Sequence, residues 1–213
     1  SDRLINVYMH GLGSENIPPE RNNAVKAGEA FVSAFGTKGA DIDIYKDIPI
    51  GAGLGGSSAD AAGVLNVLAK LYKMKDRAAL KALADTLGSD TGYMLTGGFA
   101  RMTGRGERVR PVACKRRLYM LLFLPKEGVS AAECYRAYDD SPDPLRQDSE
   151  NMVKALAAGD FGAAAASVYN ALGEPAARLS DGVKEALSAA ASFNPSAYAV
   201  TGSGSGVFAL FET

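Results

Sequence analysis

Residues Pro49–Gly63 read PIGAGLGGSSADAAG, and within them Gly51, Gly53, Gly55 and Gly56 are followed at once by Ser57 and Ser58. Glycines remove the side chains that keep a ligand away from the main chain. Beyond them the apolar residues Ala61, Val64, Leu65, Leu68, Leu71 and Tyr72 recur at helical spacing, so a helix over 58–72 begins inside the loop. Helix N-termini carry unpaired N–H groups and about half a positive charge, which makes them anion sites. Ser57 and Ser58 add hydroxyls able to donate to phosphate oxygens or to ligate magnesium. The plainer alternative is a tight strand-to-helix turn with a serine cap, but one cap calls for one serine and one glycine, not this density.

Two phosphate loops of other folds do not fit. Gly51, Gly53 and Gly56 satisfy G-x-G-x-x-G, yet that fingerprint follows an apolar parallel strand and needs an acid closing the next strand about 20 residues on. Here the preceding strand is half polar and interrupted by Pro49, and Asp76 falls between helices. No Gly-Lys-Ser/Thr closes the run, which excludes a Walker loop.

The elements that must position the loop are read from periodicity. Residues 1–10 alternate loosely as a strand ending at His10, the only histidine and a solvated strand-end residue rather than a catalyst. A loop with Gly11, Gly13 and the Pro18-Pro19 pair follows, then Ala24, Ala27, Phe31 and Ala34 mark a helix over 22–35, stopped by Gly36 and Gly39. ADIDIYKDIP, residues 40–49, sets Ile42 and Ile44 against Asp41, Asp43 and Tyr45, the pattern of a half-exposed antiparallel strand. A helix over 77–87 precedes short strand-like pieces separated by glycines. RRLYMLLFLP, residues 116–125, reads as a buried strand closed by Pro125, and YDDSPDPLRQDS, residues 138–149, as an acidic surface loop. Two or three Ala-rich helices are expected over 151–191, and SAYAVTGSGSGVFALFE, residues 196–212, reads as strand, glycine turn, strand. A composition shift near 111–117 divides the chain into expected domains 1–114 and 115–213.

With 23 Lys and Arg against 24 Asp and Glu, the chain has no global field to recruit nucleic acid or an anionic membrane, so a small-molecule partner is expected. Cys114 and Cys134 fit neither a zinc spacing nor a disulfide framework. No apolar stretch approaches the ~20 residues that span a bilayer, and the start has no signal-peptide pattern, so a cytoplasmic location is expected. Oligomeric state is not encoded in these features.

PIGAGLGGSSADAA is similar to the phosphate loop of the GHMP kinase superfamily, which includes galactokinases, homoserine kinases, mevalonate kinases and phosphomevalonate kinases. GSDTGYMLTGGFARMTGRGE, residues 88–107, resembles the segment G-A-D-V-P-F-F-L-x-G-G-x-A-x-x-x-G-x-G-E of the 4-diphosphocytidyl-2-C-methyl-D-erythritol kinase branch. VTGSGSGVFALF, residues 200–211, resembles the third, Gly-rich motif in the form that branch uses, and the order and spacing of all three agree.

The resemblance implies an α+β, two-domain GHMP-kinase-like fold, an N-terminal mixed sheet with helices followed by a C-terminal ferredoxin-like domain. It implies ATP- and Mg2+-dependent phosphorylation of the 2-hydroxyl of 4-diphosphocytidyl-2-C-methyl-D-erythritol in the non-mevalonate route to isoprenoid precursors. By the same resemblance Gly51, Gly53, Leu54, Gly55, Gly56, Ser57 and Ser58 wrap the ATP phosphates, Ser58 is the candidate metal ligand, and Lys46, Asn22 and Asn23 lie near the adenosine. Asp90 matches the catalytic aspartate, a base for the attacking hydroxyl. Gly202, Ser203 and Gly204, with Ser205 and Gly206, match the motif near the substrate's reacting end. Each has a plainer reading: a solvated strand-end lysine, helix-capping asparagines, a capping or turn aspartate, and a hairpin turn.

The sequence departs from the family at identifiable places. The first motif, roughly P-A-K-x-N-L with a catalytic lysine, and the aromatic-His pair after it have no counterpart, so an opening of about 40 residues and the last helix are expected to be absent. Thr91-Gly92-Tyr93 stands where Val-Pro-Phe is common, and NALGE, residues 170–174, where Asn-Asp-Leu-Glu is. The alternatives are a sibling kinase of the homoserine or mevalonate type and a nucleotide-binding remnant without turnover; TGGFARMTGRGE, residues 96–107, argues against the sibling.

Overall fold

The structure is a computed structural model that describes residues 2–11, 17–142 and 149–213. Gly13 of the expected opening loop and residues 143–148 of the expected acidic loop lie outside the described residues. The chain packs as two units, Ser1–Pro49 with Gly55–Pro111, and Ile50–Leu54 with Val112–Thr213.

In the first unit, strands β1 (Ile5–His10) and β2 (Ala40–Tyr45) pair in parallel, Ile5 opposite Ala40 and His10 opposite Tyr45. Helix α1 (Asn23–Phe35) crosses between them. The antiparallel pairing expected for β2 is therefore corrected: a strand-helix-strand connection returns the chain in the same direction. The alternation misleads because β2 is covered on one face only. Ile42 and Ile44 pack against the core while Asp41, Asp43 and Tyr45 face solvent. On that outer face the Asp43 carboxylate meets His10 Nε2 at 2.8 Å, and the His10 ring stacks on Tyr45.

Each helix of this unit starts on a local signal. The Asn22 side-chain oxygen accepts from the Ala24 N–H at 2.9 Å and caps α1, which ends at Gly36 with φ 63. Helix α2 runs Gly56–Leu71 and begins at Gly56, not at the expected Ser58, because Gly55 with φ 69 takes the cap position. Asp76 accepts from the Ala79 N–H at 2.9 Å and caps α3 (Arg77–Leu87), so the acid that failed the dinucleotide test is a helix cap. Phe31 of α1, Leu65 and Leu68 of α2 and Leu80 of α3 are fully buried together. A single turn, α4 (Thr91–Met94), then leads into the antiparallel hairpin β3 (Ala100–Thr103) and β4 (Arg108–Pro111).

In the second unit, β5 (Tyr119–Phe123), β6 (Ala197–Val200) and β7 (Val207–Phe211) form an antiparallel sheet in the order β5-β7-β6. Between β5 and β6 come α5 (Ala131–Asp140), α6 (Glu150–Ala158), α7 (Phe161–Ala166), α8 (Gly173–Leu179) and α9 (Asp181–Ser192). The Ala-rich stretch thus holds α6 to α9 rather than two or three helices. Continuous alanine hides the breaks, which are made by Gly159 at φ 79 and by the side-chain caps of Asp160 and Ser180. Val183 and Ala190 of α9 pack with Ala176, Val200, Val207 and Ala209 in the core of this unit.

The expected buried strand is corrected. Met120 is 53% exposed and Leu122 41%, because β5 is an edge strand bonded only to β7 among the described residues. An apolar run states that a segment can be buried, not that something covers it.

Candidate functional site

The glycine loop is divided between the two units, Ile50–Leu54 in one and Gly55 onward in the other. Its second half belongs to the first unit: Gly55 in the left-handed region turns the chain, and Gly56, Ser57 and Ser58 form the first turn of α2. The first bond of the helix runs from the Ala59 N–H to the Gly55 carbonyl, so the N–H groups of residues 56–58 have no intrahelical acceptor. They and the Ser57 and Ser58 hydroxyls are the donors an anion would meet there.

Two side-chain contacts fix this turn. Asn23, the first residue of α1, donates through Nδ2 to Ser57 Oγ at 2.7 Å. Lys46, just past β2, is ion-paired through Nζ with the Asp60 carboxylate of α2; the lysine side chain is 4% exposed and the aspartate 17%. The solvated-lysine alternative is therefore overturned. Asn22 lies beside this pair of contacts in sequence and is the buried cap of α1. Asn23, Lys46 and Ser57–Ser58 thus gather at the start of α2.

Asp90 sits at the cap position of α4, is exposed, and makes no side-chain capping hydrogen bond. A capping role does not occupy its carboxylate. Thr91 after it is fully buried and its hydroxyl has no hydrogen-bond partner. Nearby, Asp85 pairs with Lys81 at 2.6 Å, and any side chain at Gly92 would run into the other Asp85 oxygen. A cavity of about 370 Å³ is lined by Asp85, Gly88, Ser89, Arg105 and Glu107, with the Glu107 carboxyl held below the usual carboxylate range by its own N–H and that of Arg105.

The first half of the loop belongs to the second unit, where its carbonyls are hydrogen-bonded to the third Gly-rich segment. The Gly51 carbonyl accepts from the Ser205 N–H at 2.8 Å, the Ala52 carbonyl from the Gly206 N–H at 3.1 Å, and the Gly53 carbonyl from the Thr201 hydroxyl at 3.1 Å. Gly53 has φ 69, and a Cβ on it would collide with the Thr201 carbonyl oxygen. Here glycine is required twice over, by backbone conformation and by contact. Ile50–Leu54 and residues 201–206 therefore form one structure built from segments far apart in sequence. Gly202, Ser203 and Gly204 form its tip, between β6 and β7.

Asn170 is the residue that sequence reasoning missed. Its Nδ2 donates to the Val200 and Gly202 carbonyls at 2.7 and 2.8 Å while its Oδ1 accepts from the Leu172 N–H at 3.0 Å, bracing the Gly-rich turn. The signal was present in NALGE, read only as a departure from a family pattern. Among the described residues no cluster of three or more His, Cys, Asp or Glu side chains can hold a metal ion. A magnesium ion takes oxygen ligands and keeps several waters, and the Ser58 hydroxyl in the first turn of α2 could supply one such oxygen.

Comparison with known proteins bears on the whole chain. The family model for the GHMP kinase N-terminal domain matches residues 22–100, and that for the GHMP kinase C-terminal domain matches residues 152–213. A 4-diphosphocytidyl-2-C-methyl-D-erythritol kinase of Pelotomaculum thermopropionicum is 41% identical over 160 residues, covering 74% of this chain and 56% of that protein. The same-named kinase of Desulfitobacterium hafniense is 41% identical and covered to 54%, so the chain spans a little over half the length of these relatives. The same-named kinase of Cutibacterium acnes is 35% identical, with 95% of this chain and 69% of that protein covered. A crystal structure of 4-(cytidine 5'-diphospho)-2C-methyl-D-erythritol kinase superposes with a TM-score of 0.77 at 33% identity, over 100% of this chain and 75% of the other. A homoserine kinase from Cytophaga hutchinsonii shares the fold at a TM-score of 0.79 and 19% identity, over 99% of this chain and 73% of the other. With matched models over both halves and relatives alike in sequence and fold, the chain belongs to the GHMP kinase family.

Proposed function

We propose that this protein is an ATP-dependent kinase that phosphorylates the 2-hydroxyl of 4-diphosphocytidyl-2-C-methyl-D-erythritol. The observation that carries kinase chemistry is the glycine loop leading into the open first turn of α2, with Ser57 and Ser58 on it. The choice of acceptor rests on relatives named for that substrate at 32–41% identity.

In this reading Gly51, Gly53, Leu54, Gly55 and Gly56 present main-chain donors to the phosphates, Ser57 and Ser58 add hydroxyls, and Lys46 and Asn22 serve the adenosine end. Ser58 is the protein ligand for magnesium, which when bound spreads the negative charge of the phosphates. Asp90 accepts the proton of the acceptor hydroxyl as that oxygen bonds to the γ-phosphorus, and the bond to the bridging oxygen of ADP breaks. The exposed, uncapped Asp90 carboxylate supports this role. Gly202, Ser203 and Gly204 hold the reacting end of the acceptor. No helix among the described residues is long and apolar enough to cross a membrane.

Radiolabelled ATP offered with a panel of acceptors tests it. Label should appear in the cytidyl-diphosphate methylerythritol and not in homoserine or mevalonate; transfer to either of those overturns the substrate, and nucleotide binding without transfer to any acceptor favours the remnant. Asp90→Asn should lower turnover by about 10² to 10⁴ with nucleotide affinity unchanged. A variant with nearly the parent rate overturns the base.

A further inference from the structure

We infer that Asn23 is a positioning residue that acts on the phosphates through Ser57, rather than a contact to the base of the nucleotide. The inference rests on the nucleotide-binding reading above. Asn23 stands at the start of α1 and Ser57 in the first turn of α2, and the Asn23 amide nitrogen lies 2.7 Å from Ser57 Oγ. An amide NH2 can only donate, so it occupies a lone pair of the serine oxygen and leaves the hydroxyl proton for another acceptor. Among the described residues Ser57 Oγ donates to no protein group, and the residue is exposed. Its proton is therefore left for an acceptor outside the protein, on the same turn as the N–H groups of residues 56–58, which have no intrahelical acceptor. A free serine hydroxyl rotates among staggered positions; one held by Asn23 offers its proton in a narrower range, which makes the hydrogen bond to a charged oxygen less costly to order.

The amide orientation is the crux, and one substitution reverses it. Asn23→Asp replaces the donor by an acceptor, so Ser57 must donate inward and the phosphates lose that bond while facing a new negative charge. At the first position of α1 an aspartate is favourable to the helix, so stability should hold or rise slightly as affinity falls. A purely structural role predicts that the two move together.

The experiment measures ADP and adenosine binding by calorimetry and competition for the parent, Asn23→Asp, Asn23→Leu, Ser57→Ala and Asn23→Leu/Ser57→Ala, with thermal melts of each. Asn23→Asp should weaken ADP about tenfold or more, the loss expected for a bond to a charged group. Asn23→Leu should weaken ADP about threefold in the parent and not at all in the Ser57→Ala background, the signature of one shared interaction. Adenosine affinity should be unaltered throughout. An Asn23→Asp variant that binds ADP like the parent overturns the donor orientation. Equal losses for adenosine and ADP overturn the route through Ser57 and return Asn23 to the base. A parent that binds adenosine and ADP equally weakly overturns the nucleotide reading itself, and this inference with it.

Discussion

At the scale of single residues, the structure turns two side chains of unremarkable sequence into testable anchors. Lys46 is buried against Asp60 beneath the first turn of α2. Lys46→Met strands the Asp60 carboxylate, and breaking a buried pair from one side costs about 3 kcal/mol, which urea unfolding would read. Replacing both, as Lys46→Met/Asp60→Leu, should recover most of the loss, since no charge is left without a partner. Thr91 presents the opposite case. Its hydroxyl is fully buried and unpartnered, so the isosteric Thr91→Val removes a desolvated polar group and should be neutral or stabilising by up to about 1 kcal/mol. A destabilised Thr91→Val variant would mean that the hydroxyl is used.

At the scale of elements, two glycines of like backbone conformation are constrained differently. Gly36, at the end of α1, has φ 63 and open space around it, whereas Gly53 has φ 69 and the Thr201 carbonyl against its face. Gly36→Ala should cost about 1 kcal/mol for the backbone alone, while Gly53→Ala should cost roughly 2 to 4 kcal/mol and weaken ADP binding, because the loop must also draw away from residues 201–206. Thermal melts of the pair separate conformation from collision; equal costs would show that the contact is soft. The exposed edge of β5 belongs to this scale too. Strand propensity and hydrophobicity placed a strand there, but burial is a property of neighbours, and β7 supplies one side only.

At the scale of the whole molecule, the two cysteines report on folding. Cys134 is fully buried on α5, and burial pushes its thiol above the usual range, while Cys114 is only partly covered. A disulfide exchange reagent at neutral pH should therefore titrate Cys114 rapidly in the native protein and Cys134 only as the second unit opens. Rapid modification of both in native buffer would contradict the packing of Cys134 among Ala176, Val183 and Val200. The division into units is also a property of this scale: Ile50–Leu54 packs with Val112–Thr213 although both its sequence neighbours pack elsewhere.

Much of the local structure follows from the sequence alone, because helix periodicity, caps and glycine punctuation are short-range effects. The bounds of α3, the stripe of α2, the glycine turn that leads into it and the family resemblance all belong to that class. What required the tertiary structure was pairing and partnership. The direction of β2 depends on the crossover through α1, and the exposure of β5 on which strand lies beside it. Lys46 finds Asp60, Asn23 finds Ser57, and Gly53 meets Thr201 across 148 residues of chain, none of which leaves a mark in composition or spacing. Asn170 shows the same limit from the other side: its identity was plain, but an amide becomes a brace only when the carbonyls of Val200 and Gly202 are brought within reach. Periodicity records which face of an element is apolar; the free energy of long-range contacts decides what that face, and the polar groups beside it, will touch.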